Sequence, residues 1–168
     1  MANAQVKFET SMGGIVIELF ETECPITTKN FLEYVNAGYY DGTIFHRVIP
    51  GFVVQGGGML PGLKQKDTRE PIVNEAAKAP HNARGTLAMA RTSDPDSATS
   101  QFYINLADNR SLDFTGRGAA GAGYCAFAKV VEGMDIVDKM AAVKTGRRTP
   151  HSDVPSEDIL LTKASVQS

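Results

Sequence analysis

The sequence predicts a mainly β protein, a closed antiparallel barrel of eight strands with two packed α-helices. Three observations predict it. Eight short segments carry strand-type apolar patterning, only two carry helical spacing, and 16 glycines and 8 prolines punctuate the chain at short intervals, as turn-rich β structure requires. The two helical segments separate groups of strands instead of alternating with them, which argues against a doubly wound parallel sheet. Closure removes exposed strand edges, so a barrel is the better fit.

The first strand is Val6-Lys7-Phe8-Glu9-Thr10, alternating apolar and polar. Gly13-Gly14 supplies the positive φ of a tight hairpin, and Ile15 to Phe20 returns as a β-branched strand. Further strands are expected at 44–49, 52–56, 86–91, 101–106, 125–131 and 158–166. In the first helix Pro25 takes the first helical position, where its missing N–H costs nothing. Thr28, Phe31, Leu32 and Val35 then share one face, and Gly38 offers the stop. The second helix runs from about Met134 to Val143, with Ile136, Met140 and Val143 on one face. Asp135 and Lys144 complement its dipole, and Gly146 ends it. Two connections, Gly57 to Arg84 and Ala107 to Tyr124, are too long for plain turns, and such loops usually carry function.

The chain has 168 residues, enough for one domain over 1–168 and for a sizeable core. A hydrophobic fraction of 42% with 21% charged residues excludes a disordered chain. No apolar run reaches the ~18 residues of a membrane span, so no membrane association is expected. The start, Met1-Ala2-Asn3-Ala4-Gln5, has neither the basic region nor the apolar core of a signal peptide, which implies a cytoplasmic protein. A formal net charge of −2 lacks the basic surplus behind non-specific nucleic-acid binding. Cys24 and Cys125 stand far apart, without CxxC or histidine at metal-ligand spacing. Both read as buried, reduced core residues, since a free thiol packs as a small hydrophobe.

Several motifs are better refused. Gly116-Arg117-Gly118-Ala119-Ala120-Gly121 matches the dinucleotide-binding G-x-G-x-x-G, but a strand-like segment, Tyr124 to Ala128, follows it instead of a helix. It reads as a loop. Gly56-Gly57-Gly58 lacks the Gly-Lys-Ser/Thr of a phosphate loop and reads as a strand end or bulge. His46, His81 and His151 are scattered, Asp94 and Asp96 flank Pro95 in a turn, and no G-x-S-x-G elbow supports a nucleophile. No metal or cofactor is expected.

What stands out is the run from Phe45 to Gly57, where Arg47 and Gln55 sit among apolar strand residues. Buried polar groups need partners. Strand alternation points Phe52 and Val54 away from Val53 and Gln55, so a twist or bulge is needed for Phe52 and Gln55 to share a site. An edge arginine and a satisfied glutamine is the plain alternative, and spacing alone does not choose.

The run Phe45-His46-Arg47-Val48-Ile49-Pro50-Gly51-Phe52-Val53-Val54-Gln55-Gly56-Gly57 resembles the signature of the cyclophilins, the peptidyl-prolyl cis-trans isomerases inhibited by cyclosporin. Gly85 to Arg91, Ser100 to Asn105, Phe127 to Asp135, Asn30-Phe31 and Tyr39 to Thr43 resemble the family in the same order, so the likeness covers nearly the whole chain. The compact cytoplasmic cyclophilins of bacteria are the most similar group. The resemblance implies an eight-stranded antiparallel barrel capped by two helices, an isomerase of Xaa-Pro bonds that assists protein folding, and a monomer without cofactor. It also implies that Arg47 is catalytic, that Gln55 binds the carbonyl, and that Phe52, Tyr103 and Leu112 wall a pocket for the proline ring. Ala90, Arg91 and Gln101 correspond to the rim that holds the peptide backbone.

Three positions depart from the family pattern. Val53 stands where methionine is common, Ser111 where many eukaryotic members have a tryptophan that binds cyclosporin, and Tyr124 where a histidine lines the pocket. These departures imply retained activity with weaker cyclosporin binding. They also motivate an alternative, a proline-peptide binding module or chaperone with weak catalysis.

Overall fold

The computed structural model describes residues 3–116, 121–148 and 151–167. The chain opens with a hairpin. Strand β1 (Gln5–Thr10) pairs antiparallel with β2 (Gly13–Leu19), Phe8 facing Ile15 and Val6 facing Ile17, and all four are buried. Helix α1 (Pro25–Asn36) follows, with Pro25 in its first turn; Thr28, Phe31 and Val35 are buried, and Gly38 lies just beyond its end at φ 70°.

The expected strand 44–49 is two strands, β3 (Thr43–Ile44) and β4 (Arg47–Ile49), broken at Phe45-His46. β4 makes a hairpin with β5 (Val53–Gly56). The long connection after Gly57 holds two unforeseen short strands, β6 (Met59–Leu60) and β7 (Lys64–Gln65). Then come β8 (Thr86–Met89), β9 (Phe102–Asn105), a 3₁₀ turn at Arg110–Leu112, and β10 (Ala126–Glu132).

Helix α2 (Met134–Ala141) ends before Val143, and Gly146 lies in the next strand instead of ending the helix. Gly133 caps the start of α2 at φ 90°, and a side chain there would overlap the Gly14 carbonyl. Strands β11 (Thr145–Arg148) and β12 (His151–Pro155) form a separate two-stranded ribbon that patterning did not signal, because three of the four β11 residues are exposed. Strand β13 (Leu160–Gln167) follows and pairs with β1.

Eleven strands form one antiparallel sheet in the order β4-β5-β9-β8-β10-β2-β1-β13-β3-β6-β7. Only Phe45 and His46 separate β3 from β4, which stand near opposite ends of that order. The sheet must therefore curl back on itself, a half-barrel for which eight closed strands is an approximation. No ladder among the described residues joins β4 to β7. Inside the curl, Phe8, Phe31, Tyr40, Phe102 and Phe127 pack ring against ring with neighbouring centroids 4.9–6.3 Å apart.

Candidate active site

Strand alternation gives each wall strand a second face outside that core. On it, cross-strand register sets one continuous row: Arg47 beside Gln55, Gln55 beside Tyr103, Tyr103 beside Ala88, and Ala88 beside Ala126. The row crosses β4, β5, β9, β8 and β10, and Val53 lies two residues from Gln55 on the same face. The alanines in its middle, Ala88 and Ala126, are fully buried and packed with Val53 and Tyr103. Beside the row opens a cleft of about 280 Å³ lined by Arg47, Phe52, Val53, Gln55, Ala90, Arg91, Tyr103, Leu112 and Tyr124.

Phe52 reaches this cleft without the bulge that alternation demanded. It precedes β5 and closes the β4–β5 turn, its N–H donating to the Ile49 carbonyl at 3.0 Å. Pro50 and Gly51 fill the middle of that turn, and Gly51 has the φ of 74° that a type II turn needs. Phe52 is thus free of the strand's two-face rule.

At the polar end Arg47 Nη1 donates to Gln55 Oε1 at 3.2 Å, and Gln55 Nε2 donates to Gln101 Oε1 at 3.0 Å. Among the described residues no carboxylate pairs with Arg47, so its remaining N–H groups face the cleft without a competing anion. Gln101 does not line the cleft. It lines an adjoining groove of about 210 Å³ with Gln65, Thr92, Ser97 and Thr99, and a side chain on Gly58 would overlap it. Gly58 therefore keeps the Gln101 position open.

Arg91 lies with its guanidinium carbon 4.2 Å above the Tyr124 ring centroid, a cation–π contact. Its Nε and Nη2 donate to the Gly123 carbonyl at 3.2 and 2.8 Å, and Nη1 donates to the Thr92 carbonyl at 2.9 Å. Its donors hold the protein's own rim.

Sequence reasoning missed the residues underneath. Asn82, 1% exposed, accepts hydrogen bonds from the Tyr103 hydroxyl and Asn105 Nδ2, each at 3.1 Å. Its own Nδ2 donates to the Tyr124 carbonyl and to Asp113 Oδ1 at 3.1 and 3.2 Å. One buried amide thus ties together the ring wall, the rim and the 3₁₀ turn that carries Leu112. Burial pushes the Tyr103 hydroxyl far above the usual tyrosine range, so Tyr103 presents a neutral ring to the cleft. Ala88 and Ala126 were missed as well, although alternation around Leu87, Met89 and Phe127 is a signal that could have found them.

Behind Arg47, His46 is buried, and its Nδ1 has no hydrogen-bond partner among the described residues. Desolvation first, then the neighbouring His151 and Arg47, push its pKa down to about 4. At neutral pH it is an uncharged ring. Residues Arg117 to Ala120 of the refused glycine motif lie outside the described residues.

Residues 5–166 match the family described as cyclophilin type peptidyl-prolyl cis-trans isomerase/CLD. The chain is 56% identical over 161 residues to peptidyl-prolyl cis-trans isomerase B of Escherichia coli (strain K12), covering 96% of this chain and 98% of that protein. It is 50% identical to peptidyl-prolyl cis-trans isomerase cyp18 of Streptomyces antibioticus, covering 96% and 97%. A crystal structure of a Cryptosporidium parvum cyclophilin type isomerase aligns over 98% of each chain with a TM-score of 0.83 at 28% identity. A second structure of that protein, obtained in the presence of the dipeptide Ala-Pro, aligns equally well.

Proposed function

The chain belongs to the cyclophilin-type peptidyl-prolyl cis-trans isomerase family and catalyses rotation about Xaa-Pro peptide bonds, and from that premise we propose that the Arg47 cleft is where the bond turns. The observation that carries this reading is the Arg47–Gln55 pair standing beside a cleft walled by Phe52, Val53, Tyr103 and Leu112, with no carboxylate among the described residues to neutralise the arginine.

Rotation about Xaa-Pro is opposed by amide resonance, with a barrier of about 20 kcal/mol. In the twisted transition state that resonance is lost and the proline nitrogen regains its lone pair. A guanidinium N–H of Arg47 donates to that nitrogen more strongly in the twisted state than in the planar one, and this differential binding lowers the barrier. Arginine suits the role because it stays charged and presents its donors rigidly. Phe52, Val53, Tyr103 and Leu112 hold the proline ring while the carbonyl side swings, and Gln55, fixed between Arg47 and Gln101, steadies the carbonyl. Ala90, Arg91 and Gln101 form the rim for the flanking backbone, with Tyr124 at its edge.

Catalytic, charge-assisted contacts of this kind contribute about 1.5–3 kcal/mol each. Arg47→Ala is therefore expected to reduce kcat/KM by about 10²-fold, mostly through kcat. Magnetisation exchange between cis and trans forms of a short Xaa-Pro peptide measures it. Loss through KM alone would assign Arg47 to binding and overturn the mechanism.

The substrates in this proposal are Xaa-Pro segments of incompletely folded polypeptides, handled by residues 1–168 as one monomeric, cytoplasmic domain. The use of an Ala-Pro dipeptide with the Cryptosporidium parvum isomerase supports the peptide class. Ser111 is an exposed serine beside the cleft, with no ring to cover a bulky macrocycle, so cyclosporin binding is weak.

A further inference from the structure

Two thiols lie outside the chemistry of the cleft. Cys24 is the N-cap of α1 and fully buried, and Cys125 directly precedes β10 and is 4% exposed. They are 101 residues apart in sequence, yet their sulfurs lie 3.4 Å apart. A disulfide needs about 2.05 Å, so closing one takes roughly 1.3 Å of movement shared by two side chains.

The surroundings favour chemistry at Cys125. Thr27 Oγ1 lies 3.6 Å from Cys125 Sγ and donates its only proton to Glu75 Oε1 at 2.7 Å. The Cys125 thiol donates its own proton to Cys24 Sγ, and the Cys24 thiol donates to the Ala126 carbonyl at 3.6 Å, so the two thiols stand in one hydrogen-bonded chain. Contact with Cys24 lowers the Cys125 pKa, and the same contact together with burial raises that of Cys24. Cys125 also lines a crevice of about 10 Å³ with Thr27, Asn74, Met89 and Arg91. That is room for about one water molecule, so hydrogen peroxide, one oxygen atom larger, enters only with a small opening of the crevice, and a bulky disulfide such as oxidised glutathione is kept out.

We propose that Cys24 and Cys125 form a peroxide-reactive dithiol site that closes to an intramolecular disulfide and thereby alters the neighbouring cleft. The Cys125 thiolate attacks one peroxide oxygen; an S–O bond forms, the O–O bond breaks, and hydroxide leaves to take up the thiol's former proton as water. The sulfur of Cys24 then attacks the sulfenic acid; an S–S bond forms, the S–O bond breaks, and hydroxide leaves with the Cys24 proton as a second water. Two thiols are oxidised and one peroxide is reduced. Cys125 directly follows Tyr124, which lines the cleft, and Arg91 grips this stretch through Gly123 and the Tyr124 ring. Drawing Cys125 toward α1 moves that wall. This consequence for activity rests on the reading of the cleft given above.

The test treats the reduced protein with hydrogen peroxide and reads intact mass, thiols titrated in denaturant, and isomerisation rate. The expected result is a mass about 2 Da lower, thiols falling from two per chain to none, and a rate lower by at least about twofold, since ångström misplacements cost up to about 10²-fold. A dithiol reductant reverses all three, and oxidised glutathione acts far more slowly. Cys24→Ser places a preferred N-cap residue at the helix start and should instead give a Cys125 sulfenic acid about 16 Da heavier, trapped by a dimedone-type probe. Oxygen addition in the wild type without the cross-link overturns the site. A disulfide that leaves the rate unchanged overturns the coupling. The rate of the reduced protein, compared with Arg47→Ala, tests the cleft reading separately, because the mass readout does not depend on it.

Discussion

Phe102 and Tyr103 are neighbours on one strand and belong to different worlds. Phe102 packs its ring among Phe8, Phe31, Tyr40 and Phe45 inside the curl, with no exposure. Tyr103 stands on the opposite face among Val53, Ala88 and Ala126, with Phe52, Leu112 and Tyr124 at the margin. Both environments are apolar, and they differ in completeness. Inside, large rings meet from every side and fill the space. Outside, Ala88 and Ala126 are packed fully buried with Val53 and Tyr103, and the half-buried Ala90 stands with Phe52, Leu112 and Tyr124 around open space. A filled face gives stability and an under-filled one gives a cleft, and the same strands supply both by alternating.

Matched substitutions on the two faces test that contrast most severely. Phe102→Ala is expected to cost about 3–5 kcal/mol of stability, the usual penalty for deleting a core ring, read as a lower urea midpoint. Ala90→Leu adds volume at the half-buried cleft wall, so it should cost no more than about 1–3 kcal/mol while raising KM for an Xaa-Pro peptide steeply. Equal losses of stability at the two sites would break the comparison.

The inner side of the Arg47 strand is expected to show in the pH dependence of stability. Unfolded, His46 protonates near its ordinary pKa of 6.5; folded, it stays neutral down to about 4. Between those values the unfolded chain binds more protons, so stability falls as pH drops and levels off below about 4. A shift of this size corresponds to about 3 kcal/mol, present at pH 7.5 and lost by pH 4. Denaturation midpoints across that range, compared with His46→Gln, check it. An equally steep profile in the variant would remove His46 from the explanation.

The smallest effects sharpen the outer side. Asn82→Ala strands several buried partners at once and should cost about 2 kcal/mol, whereas Tyr103→Phe removes one hydrogen bond and should cost about 1 kcal/mol. Because the Tyr103 hydroxyl points beneath the floor, kcat of Tyr103→Phe should match wild type. A large drop in kcat would place that hydroxyl in the chemistry.

Legibility followed the range of the forces involved. Helix α1 could be read because Pro25, the Thr28–Phe31–Val35 face and Gly38 are local features. The two-residue strands β3, β6 and β7 are too short to show a period, and the polar β11 owes its pairing to β12 alone. The cleft divides the same way. Arg47, Gln55 and Phe52 lie in one run of the chain and stood out together, although alternation put Phe52 on the wrong side because the turn that frees it is a backbone matter. Asn82 gave no signal at all. Its role exists only when residues 103, 105, 113 and 124 arrive around it, and an asparagine in a long connection resembles any other turn residue.

The pairing of β1 with β13 carries one more consequence, for the moment of birth. The row that holds Arg47 is completed by Ala126, and the sheet is sealed only when residues 161–167 lie along residues 5–10. A growing chain on the ribosome has both only once residues 161–167 have emerged. Such long-range closure is slow, and it leaves early strands waiting for late partners. A protein that hastens the prolines of others thus comes to its own working shape only once residues 161–167 have been made, and its own cleft is not there to serve its eight prolines before that.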